Sequence, residues 1–211
     1  IDGCDAFLIW NPRRDDEVPM MTAVYSGYTL YFSSPHSTSH GLQSFVAAQG
    51  RDFLWGSQLG WMSPSMQDPY RAYLKKLARF RVQMRDFLTY GELIGELNKT
   101  NPVPNVSVVW PLWGEDRLAS VPAVMSMIWR AEDGRLGLFL VNVTDQKRTV
   151  SYSLDAARYG IQSDSVRLTP VSEDGPLNDD SALLESAFER SVTLEPYGVS
   201  VYWVERAEEQ R

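Results

Sequence analysis

The residues whose types and spacing could do chemistry gather in two places: the aromatic run Tyr25-Ser26-Gly27-Tyr28, and the stretch from Arg51 to Met62, which carries Trp55, Gly56, Gln58, Gly60 and Trp61. Tyr25, Tyr28, Gln58 and Trp61 combine flat rings with an amide and phenolic hydroxyls. Such a set suits a sugar-binding wall, with ring faces against sugar C–H groups and hydrogen bonds to hydroxyls. Cleaving a glycosidic bond needs, in addition, two carboxylates flanking it. The early candidates are Asp2, Asp5, Asp15, Asp16, Glu17 and Asp52. Asp52 stands before a candidate strand and Asp15 to Glu17 enter another, the structural end of a barrel, so only Asp2 and Asp5 stay open and the catalytic residues are left unassigned.

Other chemistries find little support. His36 and His40 share one polar loop and read as a solvent-exposed pair rather than metal ligands. The single cysteine, Cys4, leaves no internal disulfide and no thiolate cluster for structural zinc. There is no phosphate-cradling glycine loop and no Gly-x-Ser-x-Gly elbow, and no cofactor or metal is expected.

The elements that must position these residues follow from periodicity. Val18 to Tyr25 is a continuous apolar run opening near a proline and reads as a strand, with Tyr25 and Tyr28 at its exit. Leu42, Phe45, Val46 and Gln49 recur at helical spacing, with Ser39 as N-cap and Gly50 just past the end. Phe53 to Gln58 then reads as a buried strand, which gives a strand-helix-strand order and a parallel sheet. Residues 4–10 read as the last turns of a helix. Asp68 and Pro69 open a long helix whose apolar stripe runs through Tyr70, Tyr73, Leu77, Phe80, Met84 and Phe87, with Glu92 to Asn98 as a frayed continuation. Its basic residues, Arg71, Lys75, Lys76, Arg79, Arg81 and Arg85, read as a solvated face.

Beyond Pro102 the texture changes to short strands: 106–110, 121–130, 136–143, 149–154, 165–169, 191–194 and 198–204. Asp133-Gly134 marks a hairpin, 136–143 is apolar on both parities and belongs at the centre, and Val150, Tyr152 and Leu154 alternate with hydroxylated residues. Ser172 to Ser181 reads as a surface loop. The predicted fold is therefore α/β plus all-β: 1–101 a strand-helix part, 102–211 an antiparallel β-sandwich.

With 211 residues, 44% hydrophobic and 12% aromatic, the chain can bury a substantial core. A net charge of −7 argues against nucleic acid or an anionic membrane as partner, and no signal peptide or spanning segment stands out. Localisation and oligomeric state are not legible.

Val-Pro-Met-Met-Thr-Ala-Val-Tyr-Ser-Gly-Tyr, Gly-Arg-Asp-Phe-Leu-Trp-Gly-Ser-Gln-Leu-Gly-Trp and the closing Leu-Glu-Pro-Tyr-Gly-Val-Ser-Val-Tyr-Trp together resemble the C-terminal part of a bacterial glycoside-hydrolase-type (β/α)8-barrel family without assigned activity. The resemblance implies that 18–25 and 53–58 are the last two barrel strands, that Ile1 lies inside a longer chain, and that the catalytic acids lie upstream. It implies a carbohydrate substrate, with Tyr25, Tyr28, Gln58 and Trp61 lining part of its site and the chain inactive alone. A non-enzymatic carbohydrate- or protein-binding sandwich on a helical scaffold is the alternative. In isolation 1–62 should be poorly ordered or self-associated, whereas the sandwich could fold alone.

Overall fold

The computed structural model describes residues 6–8, 19–26, 28–32, 37–59, 65–112 and 115–207. In chain order the elements are β1 (Ala6–Leu8), α1 (Met20–Tyr25), β2 (Leu30–Phe32), α2 (Gly41–Leu54), α3 (Tyr70–Gln83) and α4 (Arg85–Leu88). They are followed by β3 (Glu92–Gly95), β4 (Asn98–Lys99), β5 (Asn105–Leu112), β6 (Glu115–Pro122), β7 (Val124–Arg130), β8 (Leu136–Asn142) and β9 (Arg148–Asp155). The last are β10 (Ser165–Ser172), β11 (Gly175–Pro176), β12 (Ala182–Glu185), β13 (Ala187–Leu194) and β14 (Val199–Arg206).

The N-terminal part is built from parallel strands with helices between, but its register differs from the sequence reading. β1 pairs in parallel with β2, and Phe32 makes a parallel bridge to Gln58. Residues 6–8, expected at a helix end, are thus a strand. Val18 to Tyr25, expected as a strand, contains α1, closed by a bond from Ala23 N–H to Pro19 O (2.9 Å). The strand lies one step later, in the aromatic run. A short unbroken apolar run does not distinguish strand from helix by period alone, and proline is as acceptable at a helix start as at a strand start.

The same ambiguity governs Phe53 to Gln58. Phe53 and Leu54 are the last residues of α2, the chain turns at Trp55 and Gly56, and only Gln58 reaches the parallel pairing. Gly50 does not end α2 because tertiary packing needs it inside: a Cβ there would stand 2.8 Å from Val141 Cγ1. Ser39 does not cap the helix either; its hydroxyl meets that of Ser37 at 2.6 Å and His40 holds the cap position. α3 begins at Tyr70 after Pro69, which takes the cap position without a side-chain bond.

Glu92 to Lys99 leaves the helix and enters the β region: β3 pairs with β7 and β4 with β9. The main sheet runs β11-β10-β14-β8-β7-β3, with β12 also on β10, and faces a three-stranded sheet β13-β9-β4. β8 is buried along its whole length, as its double-parity apolar pattern predicts. In β9, Val150, Tyr152 and Leu154 are buried while Thr149 and Ser151 pair with Thr193 and Ser191 hydroxyls at 2.8 and 2.7 Å on the wet face. The Asp133-Gly134 turn joins β7 to β8. β5 and β6 form a separate hairpin, and the second of these strands was not anticipated.

The main sheet is covered on both faces. Val124, Ile128, Leu138 and Val204 meet Val150 and Leu154 of the smaller sheet in one cluster. Met125, Trp129, Phe139 and Val141 meet Phe45, Phe53, Tyr73 and Leu77 of the helices in the other. The sandwich therefore does not stand apart from the helices: removed from them, its main sheet would expose a large apolar face. Trp129 is at the centre of this contact, fully buried, with its indole N–H donating to Leu54 O at 2.8 Å. We expect Trp129→Ala to cost about 3–5 kcal/mol in urea unfolding, by losing the ring's packing and stranding a helix-end carbonyl. Gly56→Ala should also destabilise, since Gly56 has φ 71° and an added Cβ would lie 2.7 Å from the same ring.

Candidate functional site

In parallel strand-helix units, ligands bind beyond the carboxyl ends of the strands, where the strand-to-helix loops gather. Here the loop after β2 leads to α2, and the loop after Gln58 leads to α3. They meet: Tyr70 Oη donates to Thr38 O at 3.2 Å. Between them lies a cleft of about 530 Å³ lined by Ser37, Thr38, Ser65, Gln67, Asp68 and Tyr70. Each wall has a local reason. Tyr70 packs edge-on against Phe45 of α2, with ring centroids 5.1 Å apart, and Ser39 N–H donates to Ser37 Oγ at 3.1 Å. The Arg71 guanidinium grips both Asp68 oxygens at 3.3 Å.

That grip sets the electrostatics. The hydrogen bond from Arg71, aided by its charge, holds the Asp68 carboxyl below the usual carboxylate range, so it is ionised at neutral pH. An ionised, exposed carboxylate can accept hydrogen bonds from sugar hydroxyls but makes a poor general acid. Among the described residues lining the cleft it is the only carboxylate, whereas hydrolysis requires two. The cleft thus offers hydroxyls, an amide and an anion for holding a polyhydroxylated ligand.

The residues singled out from sequence divide between the two ends of the parallel segment. Gln58 is half-buried at the bridge to Phe32, at the end from which the second loop departs. Trp61 lies outside the described residues, as do Asp2, Asp5, Asp15, Asp16, Glu17 and His36. Tyr25 ends α1 and its carbonyl accepts from Tyr28 N–H at 3.1 Å; both precede β2, so the strand-end argument does not hold for them. Asp52 is buried in the last turn of α2 and does not precede a strand. His40 is half-buried with Nε2 3.1 Å from Asp116 Oδ1 of β6, not free in solvent. Trp55 is buried beneath the Arg51 guanidinium, 4.6 Å from its ring centroid, a structural role. Of the basic residues on α3 and α4, Arg81 departs from the solvated face: it is buried, which pulls it down to about 10.

Sequence reading missed Thr38, Asp68 and Tyr70. Asp68 and Tyr70 read from sequence as a helix start and Thr38 as part of a connector; they converge because the described residues 37–40 and 65–69 lead directly into α2 and α3. Among the described residues no group of three or more His, Cys, Asp or Glu could hold a metal, and no helix is long and apolar enough to cross a membrane.

Comparison with known proteins adds three findings. Residues 122–202 match the family model of the D-apionate lactonase C-terminal immunoglobulin-like domain. A glycoside-hydrolase-like protein of Bacteroides thetaiotaomicron is 30% identical over 167 residues, covering 72% of this chain and 23% of that protein. The chain therefore spans about a quarter of that relative's length. Among solved structures, α-galactosidase I of Mortierella vinacea aligns over 91% of this chain and 44% of its own, with 8% identity and TM-score 0.51. A GH27 β-L-arabinopyranosidase of Geobacillus stearothermophilus aligns over 98% of this chain and 46% of its own, with 10% identity and TM-score 0.50. At these identities the structural likeness is one of fold.

The Asp68–Arg71 pair gives a direct test. Because the folded-state value is depressed, the stabilising contribution of Asp68 is present above its ordinary range and fades as pH falls through the folded value. A carboxyl-carbon NMR titration should place the Asp68 midpoint below that of an unpaired aspartate, and Arg71→Gln should move it upward.

Proposed function

We propose that this chain is the C-terminal portion of a carbohydrate-active glycoside hydrolase. In this reading 1–91 closes a (β/α)8 barrel and 92–211 is its C-terminal β-sandwich, a division ten residues earlier than the sequence texture suggested because β3 and β4 pair with sandwich strands. The carrying observation is the cleft between the loops after β2 and Gln58, at the end where such barrels bind substrate. Its ligand is a carbohydrate: Ser37, Thr38, Gln67, Asp68 and Tyr70 accept and donate to hydroxyls, with Gln58 at the same strand end; Trp61 lies outside the described residues. Tyr25 and Tyr28 are not part of that wall. The glycoside-hydrolase-like relative supports the substrate class. The lactonase-domain match lies wholly in the sandwich, away from the cleft, and supports the fold of that part rather than a lactone substrate.

Substrate holding without cleavage is the expected behaviour of the chain alone. Saturation-transfer NMR should detect weak binding of neutral oligosaccharides, diminished by Gln58→Ala, Tyr70→Phe and Asp68→Asn, with no product released from aryl glycosides or sugar lactones. Turnover that disappears in Asp68→Asn would place a working catalytic group in this chain and overturn the division of labour. Binding unchanged in all three variants would remove the cleft from the substrate site.

A further inference from the structure

A second cleft lies at the opposite, amino end of β2. We propose that it is a distinct binding site for neutral pyranoside sugars, built by Tyr28, Tyr90, Glu92, Arg130 and Glu132. Three chain segments converge there: the turn from α1 into β2, the turn from α4 into β3, and the β7–β8 hairpin. They enclose about 560 Å³, within the range of small-ligand sites.

The rings are the first argument. Tyr28 is 87% and Tyr90 56% exposed, so core packing explains neither, yet both line the same cleft. An exposed phenol offers a flat apolar face and a hydroxyl, which matches the alternation of C–H faces and hydroxyls on a pyranose. The second argument is that the walls are tied together. Ser26 Oγ donates to Gly91 O at 2.7 Å, joining the first two segments. Arg130 pairs with Glu92 across the β3–β7 register and donates from Nη1 to Tyr159 O at 3.4 Å, fixing the third. A site held this way loses little entropy on binding.

Charge selects among sugars. Glu92 and Glu132 outnumber Arg130 in the lining, within a chain of net charge −7, so uronates, sulfated sugars and phosphates are disfavoured and neutral hydroxyls are suited to the carboxylate acceptors. The site shares no residue with the loop cleft and does not rest on that cleft's assignment.

The test uses the 211-residue chain with neutral gluco-, galacto- and xylo-oligosaccharides, and galacturonate oligomers as the charged comparison, read by saturation-transfer NMR and calorimetry. Tyr28→Ala and Tyr90→Ala should each weaken neutral-sugar binding by up to about tenfold, the worth of one stacked ring, and the double variant by more. Circular dichroism should be unchanged, because both side chains are exposed. The neutral-sugar binding that remains when Gln58→Ala and Tyr70→Phe are combined should still fall when both tyrosines are also replaced, and galacturonate should bind less well than the neutral probes. Absence of neutral-sugar binding, undiminished binding in the double tyrosine variant, or binding lost only in the Gln58 and Tyr70 variants would each overturn the proposal.

Discussion

The structure depends on α2 being clamped at both ends by tryptophans that belong to the β-rich part. Near its start, Trp110 Nε1 donates to Ser44 O at 3.3 Å and Val109 N–H to Ser44 Oγ at 3.0 Å. At its end, Trp129 Nε1 donates to Leu54 O at 2.8 Å. Helix ends carry carbonyls with no partner inside the helix, and a buried unpaired carbonyl is costly. Trp129 satisfies one of these while filling the space above Gly56, and the Arg51 guanidinium, from the last turn of α2, lies 4.3 Å from the Trp110 ring centroid and ties that ring to the helix. Between the clamps, Gly50 lets β8 approach closely enough for Val141 to fill the place a side chain would take.

This clamp reaches the candidate site. The loop after β2 ends where α2 begins, and Gln58 follows where α2 stops. Fixing both ends of α2 on the sheet therefore fixes where the first loop ends and where the second begins. The β5–β6 hairpin adds a further hold through Asp116 on His40. The β-rich part acts on the loop cleft as a brace, through a continuous buried core rather than through a linker.

How much of this was legible varies along the chain for physical reasons. Alternating strands announce their wet and dry faces, so β9, β8 and the β7–β8 turn were readable from residue parity and one Asp-Gly pair. The N-terminal part lacks that signal. α2 is buried over Ser44 to Leu54, so Phe53-Leu54-Trp55 has the apolar continuity of a covered strand while continuing a covered helix. Gly50 compounds the ambiguity, because a glycine demanded by a neighbouring strand looks the same in sequence as one that ends a helix. Misplacing the strands carried the candidate residues with them. Tyr25 and Tyr28 have suitable chemistry but lie at the amino end of β2, and the residues that do meet beyond the strands, Thr38 and Tyr70, look in sequence like a connector and a helix start. Which residues converge on a cleft depends on register, and one step of register exchanges one end of a strand for the other.

The segments on either side of residue 122 divide the β-rich part by what they do. Residues 122–202, which match the immunoglobulin-like domain model, contain the strands that face one another across the second core, β7 to β13 and the first half of β14. β3, β4, β5 and most of β6 fall before that range; of these, β3 borders the Tyr28–Tyr90 cleft and contacts α1, and β5 packs on α2, while β7, β8, β10 and β11 within the range also meet the helices. An immunoglobulin-like core has no intrinsic need of a helix layer. The elements placed before it, together with Trp129 and Phe139 on its outer face, supply the contacts that make the sandwich one wall of a larger unit.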